Sequence, residues 1–199
     1  FIFSPDGTQV VVIRQIPYTS SIQPKEEDLP LATGLVIDDM NYKHWDQYVQ
    51  TIPHIFLASV ENGKLNIKKD ILEGEPYECP VLPFGGSEQL CWSPDGKSIA
   101  YTSRKKTGVD YAISTDSDIY LYDIKNASLQ KAAHNQMAGL QEGWIVSENA
   151  ALSFSKDGKR LFFGTAPKPL EKDTTLAEFE QPQLDIWTWN EDYLQTVQL

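Results

Sequence analysis

The sequence predicts an all-β chain, a partial β-propeller of about three four-stranded antiparallel blades. Three observations predict it. A turn of the form aromatic-Ser-x-Asp-Gly recurs at Phe3–Gly7, Trp92–Gly96 and Phe154–Gly158. Each turn is followed in the same order by β-branched and aromatic runs. No long window spaces its apolar residues three to four apart, and Leu170 to Glu180 is the best of the weak helical candidates.

The second copy shows the repeat most fully. Leu90-Cys91-Trp92 leads into the turn, Lys97 to Ser103 leaves it, and Ser117 to Ile124 supplies a third strand. The third copy runs Leu152-Ser153-Phe154, then Lys159 to Thr165, then Leu184 to Asn190. The first has Phe3, Val10 to Ile13, and after a long interval His54 to Val60 and the turn Glu61-Asn62-Gly63. Segments such as Lys64 to Ile67 and Tyr193 to Val197 supply fourth strands, which places the blades roughly at 1–72, 73–131 and 132–199. In Ser-Pro-Asp-Gly, Pro presets φ, Asp tolerates the bridge region and Gly closes the turn without a Cβ. Propellers usually close with about four to eight blades, so a longer parent chain is expected.

Composition narrows the function. The 199 residues carry 28 acidic against 17 basic side chains, a formal charge of −11, which disfavours nucleic acid and anionic membrane as partners. Apolar runs such as Val10 to Ile13 fall far short of the roughly 20 residues that span a bilayer. The chain opens inside a repeat with no signal peptide, as an excised or processed piece would. Cys79 and Cys91 have no zinc-ligand spacing around them; free thiols are expected, with a disulfide across the Pro- and Gly-containing loop as the alternative.

If strands are numbered from the inside of each blade, links one-to-two and three-to-four lie on one face and are all short turns. The opposite face takes the long connections Arg14 to Pro53, Glu73 to Gln89, Arg104 to Ser117, Ala132 to Asn149 and Ala166 to Gln183. Long loops on a rigid scaffold carry binding, so this face is the candidate for substrate or partner contact. Its richest loop holds Asp38, Asp39, Tyr42, His44, Trp45, Asp46 and Tyr48, with Lys43 among them. Those residues either face a ligand or pack the loop upon itself.

No catalytic constellation is complete. There is no Gly-x-Ser-x-Gly pentapeptide, and His44, His54 and His134 are widely separated, with structural roles expected for His54 in a strand and His134 in a polar loop. The pairs Glu26-Glu27-Asp28 and Asp38-Asp39 are what chance gives in so acidic a chain. No phosphate loop, metal-ligand set or cofactor motif occurs, and Asn126-Ala127-Ser128 is a sequon that also serves as a strand-connecting turn.

The Trp92-to-Tyr101 block resembles TolB-like propeller repeats. Tyr42-Lys43-His44-Trp45-Asp46, then His54-Ile55-Phe56, Trp92 to Ser103 and Ser117 to Asp123 resemble, in that order, the N-terminal propeller of prolyl oligopeptidase family serine peptidases, in the dipeptidyl peptidase V and acylaminoacyl peptidase branch. Lys172 to Thr175, Leu184 to Trp187 and Asp192 to Gln195 are similar to propellers of long bacterial members. The resemblance implies a periplasmic or secreted peptidase whose triad lies on a C-terminal α/β-hydrolase domain absent from these residues. This chain would then gate that domain and help select short peptides, with the hydrolase domain and the peptides as its partners. In some members propeller carboxylates bind the substrate's free amino terminus; no position here is assigned that role. The alternative is a TolB-like protein–protein interaction module without an enzymatic role.

Overall fold

A computed structural model describes residues 1–18, 23–24, 31, 35–36, 49–170, 175–177, 180 and 189–190. The chain divides into two units, Phe1–Lys168 and Pro169–Leu199. In the second, the Glu180 amide donates to the Ala177 carbonyl, and Trp189 and Asn190 form a turn.

The first unit is mostly antiparallel sheet. Strands β1 (Ile2–Phe3) and β2 (Gln9–Pro17) flank the first Ser-Pro-Asp-Gly turn, and β3 (Gln23–Pro24) and β4 (Leu35–Val36) make a short ribbon. With β5 (Thr51–Glu61) and β6 (Lys64–Asp70), β1 and β2 form a four-stranded sheet in the order β1-β2-β5-β6. The second four-stranded sheet joins β7 (Leu90–Trp92), β8 (Ser98–Ser103), β9 (Asp118–Asp123) and β10 (Ser128–Ala133), each strand paired with its neighbour in sequence. These are the strands the repeat predicts, and β5 and β9 carry the continuous apolar and aromatic runs of strands buried on both faces.

The third copy is described in part. Strands β12 (Ser153–Phe154) and β13 (Leu161–Phe162) pair across its turn, while its expected later strands, 184–190 and 193–197, lie outside the described residues apart from the turn at Trp189 and Asn190. Two connections hold more structure than the sequence suggests. Between Ala132 and Asn149 lies β11 (Trp144–Ser147), which pairs with β14 (Gly164–Pro167) and meets Ser117 in an isolated bridge. Within Arg104 to Ser117 lies the helix α1 (Val109–Ile113), five residues long and so too short to show a helical period. Of the candidate helix from Leu170 to Glu180, the described part at Thr175–Leu176 is a turn.

The sheets stack face to face. Val11, Ile55 and Leu57 of the first sheet meet Trp92, Ile99, Tyr101, Tyr120 and Tyr122 of the second in one core. The opposite face of the second sheet, through Ala100 and Ile119, packs with Phe154, Leu161, Val146 and Leu152 in another. The Trp92 indole donates to the Ile2 carbonyl at 3.0 Å and so ties the two sheets.

The three turns are built alike. In each, the Gly amide donates to the Ser carbonyl at 2.9 Å, and the Ser hydroxyl donates to the Asp carboxylate at 2.6 Å, 2.7 Å and 2.6 Å in chain order. Gly7, Gly96 and Gly158 take φ values of +73°, +69° and +70°, the left-handed region that glycine adopts without strain. The Ser hydroxyl bonds, then backbone amides, hold the Asp6, Asp95 and Asp157 carboxyls below the ordinary carboxylate range. A pKa depressed in the folded state contributes stability above the unfolded value, near 4, which is lost as pH falls through the folded value. Replacing all three Asp by Asn is therefore expected to flatten the loss of thermal stability below about pH 4, as checked by circular-dichroism melts across pH 2–6.

Candidate functional site

Of the expected site residues, Asp38, Asp39, Tyr42, His44, Trp45, Asp46 and Tyr48 all lie outside the described residues. The base of their loop is described: the Tyr18 amide donates to the Gln50 carbonyl at 2.9 Å where β2 and β5 diverge. Of the long connections expected on the same face, those from Glu73 to Gln89, Arg104 to Ser117 and Ala132 to Asn149 lie among the described residues.

Strand β8 ends at Ser103, and the next three residues are cations, Arg104-Lys105-Lys106. Each meets a different carboxylate. The Arg104 guanidinium donates to the Ser114 carbonyl at 2.6 Å and to Glu148 at 3.3 Å, and its side chain is only 7% exposed. Lys105 lies 2.5 Å from Glu75 and 4.1 Å above the Tyr120 ring, a charge contact and a cation–π contact. Lys106 reaches Asp116 at 2.7 Å, and the Asn135 amide donates to the same oxygen at 2.8 Å. Glu75 precedes the second sheet, Asp116 closes the connection opened by Arg104, and Glu148 precedes the third turn, so this cationic triplet clasps three segments together.

The surroundings reinforce the clasp. Ser117 donates its hydroxyl to Glu148 at 3.3 Å, and Ser103 donates to the Glu78 carbonyl at 3.0 Å. The Gln89 side-chain amide donates to the Glu148 carbonyl at 2.9 Å, joining the start of the second repeat to the approach to the third. Burial, then the nearby Glu78 carboxylate, pushes the Tyr111 phenol far above its ordinary range, and Arg104 lies over that ring. Burial and Asp118 do the same to Tyr120, which donates to Asp118 at 3.2 Å while Lys131 holds the same oxygen at 2.6 Å. Among the described residues, the buried clasp atoms Arg104 Nε and Asp116 Oδ1 meet no hydrogen-bond partner. Chemically, the arrangement fixes loops and presents paired charge.

His54 is fully buried on β5 with Nδ1 2.8 Å from Asp70, whose other oxygen accepts from the Leu72 amide at 2.9 Å. His134 accepts from the Gln136 amide through Nδ1 at 3.2 Å. Both serve the backbone around them, and His44 lies outside the described residues.

These features belong to a chain with identifiable relatives. It is 42% identical over 172 residues to the dipeptidyl-peptidase 5 of Porphyromonas gingivalis, an overlap of 81% of this chain and 25% of the relative. The dipeptidyl-peptidase 5 of Porphyromonas endodontalis is 41% identical over 159 residues, 80% of this chain and 22% of that protein. This chain matches one segment of a dipeptidyl-peptidase-type protein. A fungal dipeptidyl-peptidase 5 from Arthroderma otae is 28% identical over 155 residues. The chain spans about a quarter of the length of these two curated relatives. No protein-family model matches it, and among the described residues no helix is long and apolar enough to cross a membrane.

Sequence reasoning passed over Arg104, Glu148 and Asp116. The available signal was a run of three cations directly after a strand, at the start of a long connection on the elaborated face. Cys79 and Cys91 are free thiols, the first buried and the second half-buried. Burial raises the Cys79 thiol well above its ordinary range and pushes Cys91 up to about 12, so neither forms a thiolate at neutral pH. The native protein is expected to leave a chromogenic disulfide reagent at pH 8 almost unreacted, whereas the unfolded protein releases two equivalents.

Proposed function

We propose that this chain is part of a β-propeller, with blades roughly at 1–72, 73–131 and 132–199, in a longer serine peptidase of the prolyl oligopeptidase family. In this reading it is non-catalytic. It gates and helps select short peptides for a C-terminal hydrolase domain of the same polypeptide, in the periplasm or outside the cell. The observation that carries the reading is the 42% identity across 81% of the chain to one segment of a dipeptidyl-peptidase 5.

The asymmetry of the connections supports a gating role. Short turns leave one face bare, while on the other the Arg104-Lys105-Lys106 clasp holds long connections in fixed positions. A selecting surface needs ordered loops, because a site built on wandering segments loses discrimination. The residues proposed to face substrate or partner are Asp38, Asp39, Tyr42, His44, Trp45, Asp46 and Tyr48.

The test replaces residues 38–48 of the longer polypeptide with a Gly-Ser linker of equal length. Labelling by a serine-directed probe should persist, while relative kcat/KM values across a panel of dipeptidyl and longer peptides change. An unchanged selectivity profile, with labelling intact, would remove the gating role from this loop.

A further inference from the structure

The connection from the second sheet to the third repeat is folded back on itself. Its amides donate to its own carbonyls, Met137 to His134 at 3.1 Å, Leu140 to Met137 at 3.4 Å and Trp144 to Gln141 at 3.0 Å. The Lys168 amide donates to the Gly143 carbonyl at 2.8 Å, which fastens the end of this connection just past β14. Gly143 takes a φ of +75°, in the left-handed region where a side chain would be strained. Trp144, opposite Pro167, then stands diagonal to Thr165, opposite Val146, on one face of the β11–β14 ribbon.

This framework holds open a recess of about 380 Å³. Its apolar lining comes from Met137, Leu140, Trp144 and Phe163, all half-buried, with the exposed Gln141 and Thr165 beside them. Met137 and Phe163 anchor the recess to the core that contains Ala100 and Ile119. No lining residue is charged, although the chain carries a formal charge of −11. Apolar side chains at a surface close on one another unless the backbone keeps them apart, and here the hydrogen bonds of the connection do so. The volume falls within the range of small-ligand clefts, roughly 300–1,000 Å³, which are preformed and mostly apolar with a few polar groups. A charged side chain entering the recess would shed water without gaining a partner. An aliphatic or aromatic one would meet two rings and the adaptable Met137 thioether.

We infer that this recess is a binding subsite for an uncharged, apolar side chain of a peptide, and that Met137, Leu140, Trp144 and Phe163 set its preference. The ligand class follows from the uncharged lining, and the fixed backbone of the connection gives the discrimination that a loose loop would lose. This inference rests on the reading of the chain as a peptide-selecting part of a longer peptidase, because the connection belongs to the face expected to take the long loops.

The experiment follows the isotope-labelled methionine methyl groups of the 199-residue chain by NMR, with the Met137 signal assigned through Met137→Leu. Titration with N-acetyl-leucinamide is expected to move the Met137 signal to saturation, and N-acetyl-glutamate amide to leave it in place. Thr165→Phe, which fills the recess, should abolish the movement. In the longer polypeptide Thr165→Phe is expected to lower the kcat/KM ratio of leucine-containing to glutamate-containing peptides about tenfold, the low end of what one apolar pocket discriminates. Leu140→Lys is expected to lower the same ratio by favouring the acidic peptides, an effect that a merely structural role for Leu140 would not produce. A Met137 signal unmoved by either probe, or moved equally by both, would overturn the subsite. If the longer polypeptide has no peptidase activity, the peptidase reading falls and takes the inference with it. If it is active and its selectivity ignores both variants, the inference alone falls.

Discussion

Tyr101→Ala is expected to lower the unfolding free energy by about 3–5 kcal/mol, the range for truncating a large buried aromatic residue. Tyr101 is fully buried at the centre of β8, and its ring stacks on that of Tyr120 with centroids 5.5 Å apart and planes at 22°. It belongs to the core shared by both four-stranded sheets, so the void would open where they meet. Tyr101→Phe should behave differently. Among the described residues the buried Tyr101 hydroxyl meets no hydrogen-bond partner, so its removal abolishes an uncompensated desolvation and is expected to be neutral or mildly stabilising. Urea midpoints of the two variants against the parent chain check both halves. A Phe variant as damaged as the Ala variant would mean that the hydroxyl contributes a bond of its own.

Glu148→Ala should cost about 3 kcal/mol, the low end for breaking a buried ion pair. The low end applies because the Glu148 side chain keeps 17% of its exposure while Arg104 keeps 7%. The loss falls on Arg104, which would retain the Ser114 carbonyl but lose its carboxylate partner in a nearly dry site. The Gln89 bond to the Glu148 carbonyl is unaffected, since it uses the main chain. The double variant Arg104→Met with Glu148→Leu is expected to recover most of the loss, because apolar residues of similar volume replace a buried pair at little net cost. Thermal melts of Arg104→Met, of Glu148→Leu and of the double variant form the cycle that measures this coupling.

Much of the fold was readable because its signals are local. Each aromatic-Ser-x-Asp-Gly turn needs only five neighbouring residues, and the strands beside it declare themselves by β-branched and aromatic runs, as Ser98–Ser103 and Asp118–Asp123 do. Strand β11 was hidden because its partner β14 lies 20 residues on in register, Trp144 opposite Pro167 and Ser147 opposite Gly164, with a complete turn between them. The clasp was hidden for the same reason. Arg104 and Glu148 are 44 residues apart, and nothing near either one names the other. Only stacking of the second sheet on the third repeat brings them together. The loop from Asp38 to Tyr48 stood out for its aromatic and acidic residues and lies outside the described residues.

We propose that these residues form a non-catalytic part of a longer serine peptidase. Release of a chromogenic group from dipeptidyl substrates, measured side by side for the pure 199-residue chain and the longer polypeptide, tests it most directly. The expected result is no turnover by the chain and turnover by the longer polypeptide that a serine-directed reagent abolishes. Turnover by the chain alone, or activity of the longer polypeptide that survives the reagent, would contradict it.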